Sequence, residues 1–190
     1  MERKQAEADF ANMMGRLRTS TEGKIWCHKW TDMRMCPHCH ELLYKSENMV
    51  DYMIVAWNYA SLVECKQGED SFPFADENAG LRPNQRAWLS EWELFGRPSW
   101  LFLELGTGRA PNDRNAWLIP WTIWLYYESQ LEVVNRKSMP WRPNRQSKGF
   151  DAVGMLKHYQ LNWVPTKGFV IPTPTEDRNH FFWARYDELN

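Results

Sequence analysis

Apolar residues recur at Phe10, Met13, Met14 and Leu17 with largely polar positions between them, which is the spacing of a helix burying one stripe over about Glu2 to Arg18. Glu7 lies one turn before Phe10 on the same inward face. Thr19-Ser20-Thr21-Glu22-Gly23 breaks the pattern, and Lys24 to Trp30 then alternates as a strand does. Asp51 to Trp57 is an apolar run headed by a carboxylate, and Ser61 to Lys66 is a second run ending in two charges. A short connection, Asn58-Tyr59-Ala60, predicts an antiparallel hairpin between them.

Further along, Pro83 suits the first turn of a helix whose apolar stripe is Trp88, Leu89, Trp92 and Phe95 and which Gly96 ends. Trp100 to Leu105 and Ala116 to Ile119 read as neighbouring strands, and Trp121 to Leu131 and Phe150 to Tyr159 as helices. From Pro165 through Pro172 and Pro174 the chain reads as a loop that wraps the surface or reaches a partner. The alternation of helices and strands predicts an α/β sandwich around a mixed central sheet. Residues 1–164 form the main domain, with an insertion over about 27–44, and residues 165–190 form a C-terminal extension.

At 190 residues the chain fits one domain, long enough to bury roughly two-thirds of its unfolded surface. Its 12 Trp residues supply packing area or flat surfaces for bases and sugars, and packing is the default use. A net charge of −1 means that nucleic-acid binding requires local patches or bound cations. No apolar run reaches membrane-spanning length, and the start, Met1 to Glu7, is too charged for a secretory signal, so a cytoplasmic setting is expected.

Cys36-Pro37-His38-Cys39 has the tight turn by which two thiolates grip a zinc ion from one side. Cys27 is the expected third ligand and either His40 or His28 the fourth, because the adjacent Cys27 and His28 point to opposite faces of a strand. Such a closed site would be structural, stapling the insertion before Asp51. Ordinary reduced thiols are the alternative.

Residues two apart in a strand share a face, so Glu64 and Lys66 project together at the end of an otherwise apolar strand. The hairpin brings Asp51 to the same sheet edge. Two carboxylates and an ammonium suit phosphodiester hydrolysis, since carboxylate oxygens hold Mg²⁺ and a lysine positions the nucleophile or stabilises the oxyanion. A solvated ion pair is the plain alternative for Glu64 and Lys66.

The string from Trp26 to Pro120 resembles the PD-(D/E)XK nuclease superfamily, especially its Holliday junction resolvase-like phage and bacterial members. The parts stand in family order: His28-Lys29-Trp30-Thr31-Asp32, the strand led by Asp51, Glu64-Cys65-Lys66, Ser71-Phe72-Pro73-Phe74, Leu81-Arg82-Pro83-Asn84-Gln85 opening a helix, and a strand ending Ile119-Pro120. Val50 stands where the superfamily name records a proline. The resemblance implies a restriction-endonuclease-like fold and a Mg²⁺- or Mn²⁺-dependent endonuclease in a bacterial or phage-infected cell. Asp51 and Glu64 would be its metal ligands, Lys66 the catalytic lysine, Gln85 an auxiliary residue, and Glu7 a further acid from the first helix.

Gln85 is unusual on physical grounds too, being an amide at the start of a buried stripe; capping or a core hydrogen bond would account for it equally. Arg136, Lys137, Arg142, Arg145 and Lys148, interleaved with Trp141 and prolines, form a stiff basic loop suited to DNA phosphates, or else a solvated surface loop. Resolvases of this superfamily act as homodimers on branched duplex DNA, so both are implied here. The alternatives are a zinc-containing DNA-binding or assembly module without catalysis, and a restriction- or repair-type nuclease.

Overall fold

The computed structural model describes residues 5–30, 33–35, 42–45, 50–56, 59–69, 71–73, 80–106, 114–133, 138–140, 154 and 156–187. In chain order these give α1 (Gln5–Ser20), β1 (Ile25–Lys29), β2 (Met33–Met35), β3 (Leu42–Lys45), β4 (Tyr52–Ala56), β5 (Tyr59–Gly68), β6 (Ser71–Pro73), α2 (Pro83–Leu94), β7 (Ser99–Gly106), β8 (Arg114–Pro120) and α3 (Trp121–Val133). They continue with β9 (Ser138–Pro140), a 3-10 turn (Lys157–Tyr159), β10 (Asn162–Val164), β11 (Gly168–Val170) and α4 (Phe181–Asp187).

The central sheet runs β1-β4-β5-β7-β8, antiparallel except for the parallel pair β5 and β7. That parallel pair needs a crossover, and α2 provides it. The molecule is thus a mixed α/β fold with helices on both sheet faces, as the alternating pattern predicts. Under α1 the core gathers Phe10, Met13, Met14 and Leu17 with Ile54, Val63, Cys65, Trp100 and Phe102. Under α2 and α3 lie Leu62, Leu89, Leu101, Leu103, Trp117, Ile119, Trp121 and Trp124. Alternate residues of β5 and β7 feed the two cores, which is the period-two rule acting on strands buried on both sides.

Four expectations are corrected. The hairpin connection is residues 57–58, because Tyr59 and Ala60 already pair with Ala56 and Val55. The stripe of α2 is narrower than its composition suggests: Leu89 is buried and Trp92 half-buried, whereas Trp88 is 37% and Phe95 77% exposed. The helix expected over Phe150 to Tyr159 ends as a 3-10 turn, with residues 150–153 and 155 outside those described.

The fourth correction concerns the end of the chain, where β11 and α4 interrupt the expected loop. Phe182, Trp183 and Tyr186 of α4 are at most 1% exposed and join the core under α1. Trp100 is the anchor there, with its ring centroid 5.5 Å from that of Phe182 and 6.4 Å from that of Tyr186. The Tyr186 hydroxyl is 2.5 Å from Ser61 Oγ, and Trp183 Nε1 donates to the Pro172 carbonyl at 2.7 Å, so the polar ends of both rings are satisfied.

Candidate active site

Glu64 and Lys66 occupy β5 on the face that carries Leu62, while Val63 and Cys65 turn to the α1 side. β4 pairs with β5 so that Tyr52 faces Val63, and the same register continued by one residue sets Asp51 opposite Glu64. Asp51 is fixed there by the backbone N–H of Cys65, which donates to its Oδ2 at 2.7 Å. The hairpin therefore does what its sequence pattern predicts and brings position 51 beside the charged end of β5.

Gln85 closes the group from above. Pro83 starts α2, and the Gln85 side chain two positions later reaches back to accept the Arg82 backbone N–H at 3.1 Å. The same Oε1 accepts from Lys66 Nζ at 3.1 Å, and Nε2 donates to Glu64 Oε1 at 2.5 Å. Lys66 Nζ also stands 2.8 Å from Glu64 Oε1. Capping, a core hydrogen bond and a place beside the charged pair thus coincide in one buried amide.

Glu64 is 1% exposed, and its Oε2 is buried without a hydrogen-bond partner. Burial, and then the neighbouring Asp51 carboxylate, raise its pKa to about 8, against the lowering effect of Lys66. Desolvation outweighs the attraction of one ammonium on a single oxygen. Asp51 is raised to about 6, mainly by burial and secondly by Glu7, while its Cys65 hydrogen bond pulls the other way.

This donor set fits a hard divalent cation. An orphaned carboxylate oxygen in a dry site, beside a second carboxylate, has the chemistry that Mg²⁺ or Mn²⁺ meets. Among the described residues no three side chains of His, Cys, Asp or Glu are grouped to hold an ion. Asp51 and Glu64 would therefore hold it with water, consistent with the habit of Mg²⁺ of retaining several waters on one or two carboxylates.

Glu7 comes near but is engaged elsewhere. Its Oε2 lies 2.5 Å from Lys29 Nζ, its backbone carbonyl accepts from Tyr52 Oη at 3.1 Å, and it acts on Asp51 through charge. Lys29, which the sequence reading left without a role, is therefore the cation that offsets Glu7. A separate buried group lies on the α1 side, where Arg114 Nη1 stands 2.8 Å from Asp9 Oδ2 and 3.1 Å from Glu104 Oε1. The sequence signal for it was the lone Glu104 in an otherwise apolar strand.

Of the expected zinc ligands, Cys36, Cys39 and His40 lie outside the described residues. Cys27 packs against the core under α1, where burial pushes its thiol up to about 12. His28 points the other way, its ring stacked on Trp26 at 5.1 Å. Cys27 and His28 thus lie on opposite faces of β1, as their adjacency predicts.

Of the basic segment, Arg136, Lys137, Trp141, Arg142, Arg145 and Lys148 lie outside the described residues. The stretch within it, β9, is not loop but pairs antiparallel with β6, setting Met139 opposite Phe72. Because β6 begins just after β5 ends, β9 stands near the end of the strand that carries Glu64 and Lys66.

No protein-family model matches this chain, and no curated protein matches it. Among solved structures it is similar to Hjc of Archaeoglobus fulgidus, a Holliday junction resolvase from an archaeal hyperthermophile. The likeness covers 59% of this chain and 77% of that one, at 12% identity and a TM-score of 0.34.

A concavity of about 850 Å³ lies elsewhere, between α1 and the β10–β11 hairpin, lined by Asn12, Arg16, Leu17, Lys167, Phe169 and Ile171 among others. None of the candidate residues lines it. Among the described residues no helix is long and apolar enough to cross a membrane.

Proposed function

We propose that this chain is a divalent-metal-dependent endonuclease that hydrolyses DNA phosphodiester bonds, with Asp51 and Glu64 as metal ligands and Lys66 as the catalytic lysine. The observation that supports it is the pairing of Asp51 opposite Glu64, with the buried, unpartnered Oε2 of Glu64 in the same side chain that Lys66 and Gln85 orient. Asp51 and Glu64 would hold a divalent ion, which would lower the pKa of bound water and offset charge on the phosphoryl group. Lys66 has three N–H donors, of which Glu64 and Gln85 engage two directions, leaving donor capacity for an attacking water or a phosphate oxygen. Gln85 is a positioning residue that holds both partners of the pair. Asp51 keeps its place through the Cys65 N–H.

The finer reading is branched duplex DNA as substrate, a homodimer, zinc held by Cys27, Cys36 and Cys39 with His40 or His28 as the fourth ligand, and a cytoplasmic setting. Metal analysis of wild-type and Cys36→Ser protein reads the zinc, and light scattering the dimer.

Incubation with branched, nicked and linear DNA plus Mg²⁺ tests the proposal. Cleavage that disappears in Lys66→Ala and Glu64→Ala supports it. Tight DNA binding by the wild type with no cleavage of any substrate contradicts it and identifies a catalytically inactive binding or assembly module. Paired symmetric cuts distinguish a junction-resolving enzyme from a restriction- or repair-type nuclease, whose cuts follow sequence or lesion.

A further inference from the structure

β1 is an edge strand, and its alternate residues divide cleanly between two environments. Ile25 and Cys27 pack toward α1. Trp26, His28 and Trp30 lie on the opposite face, where Trp30 packs against the core under α2 and α3. The three rings form a ladder: Trp26 and His28 are stacked at 5.1 Å with planes 10° apart, and His28 meets Trp30 edge-on at 5.8 Å. Trp26 is 38% exposed and His28 is also exposed, so the ladder is not core packing that happens to lie near the surface.

Register ties this ladder to the candidate site. β1 pairs with β4 so that Lys29 faces Tyr52, and the Trp30 backbone N–H donates to the Asp51 carbonyl at 2.9 Å. Trp30, Asp51 and Glu64 therefore stand in one row across three adjacent strands on one sheet face. Strands lie about 4.8 Å apart, so Trp30 is roughly 10 Å from Glu64, and each further ring is about 6.6 Å along the strand. The next rows pair His28 with Met53 and Trp26 with Val55, so among the described residues these rows put no carboxylate or ammonium between the ladder and the acids on that face.

We propose that the Trp26-His28-Trp30 ladder is a stacking surface for unpaired bases of the DNA strand whose phosphate lies at Asp51 and Glu64, so that the preferred substrate carries single-stranded nucleotides next to the cut. Nucleobases have π-faces and stack on aromatic side chains with tolerance of any sequence, which suits the exposed, parallel rings of Trp26 and His28. A duplex, whose bases are already stacked on one another, presents phosphates and groove edges and gains nothing from such a row. Lys24, exposed at the start of β1, supplies a cation for the strand's backbone. The identity of the polymer as DNA rests on the proposed nuclease function; the ladder itself rests on the register.

Fluorescence anisotropy in EDTA, with labelled oligo-dT and a blunt duplex of equal length, tests the surface in wild type, Trp26→Ala, Trp26→Phe and His28→Ala. Trp26→Ala is expected to weaken oligo-dT binding about tenfold, in line with the ~1–3 kcal/mol that one base gains from one ring, and to leave duplex binding within about twofold. Trp26→Phe retains most of the affinity, His28→Ala loses part of it, and thermal melts verify that each variant is folded. Equal oligo-dT affinity in wild type and Trp26→Ala, equal losses for duplex and single strand, or no oligo-dT binding by the wild type overturns the proposal. The two readings fail separately: DNA cleavage with no Trp26 effect removes the ladder and keeps the nuclease, while a Trp26 effect without cleavage keeps the ladder and removes the nuclease.

Discussion

Glu64→Gln is expected to lower Mg²⁺-dependent DNA cleavage by a factor of about 10³ or more and, in metal-free protein at pH 8, to raise the melting temperature. The first effect follows from removing a charged ligand while keeping the shape of the side chain. The second follows from burial. Glu64 is raised from about 4.5 to about 8 in the folded protein, so between those values the folded state holds a proton that the unfolded chain has released. The contribution of Glu64 to stability is therefore fully present below about 4.5 and is lost as pH rises toward about 8. Asp51, raised to about 6, acts in the same direction over a lower window.

A shift of one unit corresponds to about 1.4 kcal/mol, so the loss is large enough to read in a melt. Wild-type metal-free protein should melt lower at pH 8 than at pH 5, whereas Glu64→Gln, with no proton to lose at that position, should show a flatter profile. Mg²⁺ reverses the wild-type trend, because its binding needs the deprotonated carboxylates and tightens as pH rises. Lys66→Ala gives the matching control: cleavage falls by about 10²–10³ while Mg²⁺ binding persists, since the lysine is no ligand. A Glu64→Gln protein that cleaves normally, or that melts lower than wild type at pH 8, contradicts this account of the buried carboxyl.

Deleting residues 165–190 is expected to abolish cooperative folding. The deleted segment holds Phe169, Ile171, Phe181, Phe182, Trp183 and Tyr186, each at most 7% exposed and all in the core under α1. Burying one large apolar side chain stabilises by about 1.5–3 kcal/mol, while a whole domain is stable by only ~5–15 kcal/mol. Losing all of them exceeds what the remaining chain holds in reserve. The cut also severs Arg185 from Glu93 of α2, a contact of 2.8 Å, and Tyr186 from Ser61 of β5. Circular dichroism and a thermal melt of the shortened protein decide the matter. A sharp transition close to that of the full chain would show that the extension is a dispensable appendage.

The parts of this molecule that could be read from the sequence are those where one period dominates. The stripe Phe10, Met13, Met14, Leu17 becomes the buried face of α1, and the two runs flanking residue 58 become a hairpin whose register puts Asp51 opposite Glu64. Gln85 stood out because an amide at the head of an apolar stripe requires a partner, and it has three. Where prolines and short aromatic runs alternate, as in residues 165–187, no period emerges, and α4 is helical because Trp100 and its neighbours offer its rings a place to bury. Trp88 and Phe95 misled for the opposite reason: they fall at helical spacing, but Trp88 stays exposed on α2 and Phe95 lies just past its last residue. The aromatic ladder of β1 was hidden in plain alternation, since only strand order reveals that its exposed side shares a face with the acids.

Anomalous diffraction from crystals soaked in Mn²⁺ tests the central claim most directly. The expected result is one strong peak within coordination distance, about 2.0–2.2 Å, of both the Asp51 and Glu64 carboxylates, with Lys66 shifted no farther than a hydrogen bond from Glu64 or from an ion-bound water. Full Mn²⁺ soaks that leave those carboxylates without a peak, with Glu64 still joined to Lys66 and Gln85 alone, would contradict the assignment and leave the cluster as a buried structural ion pair.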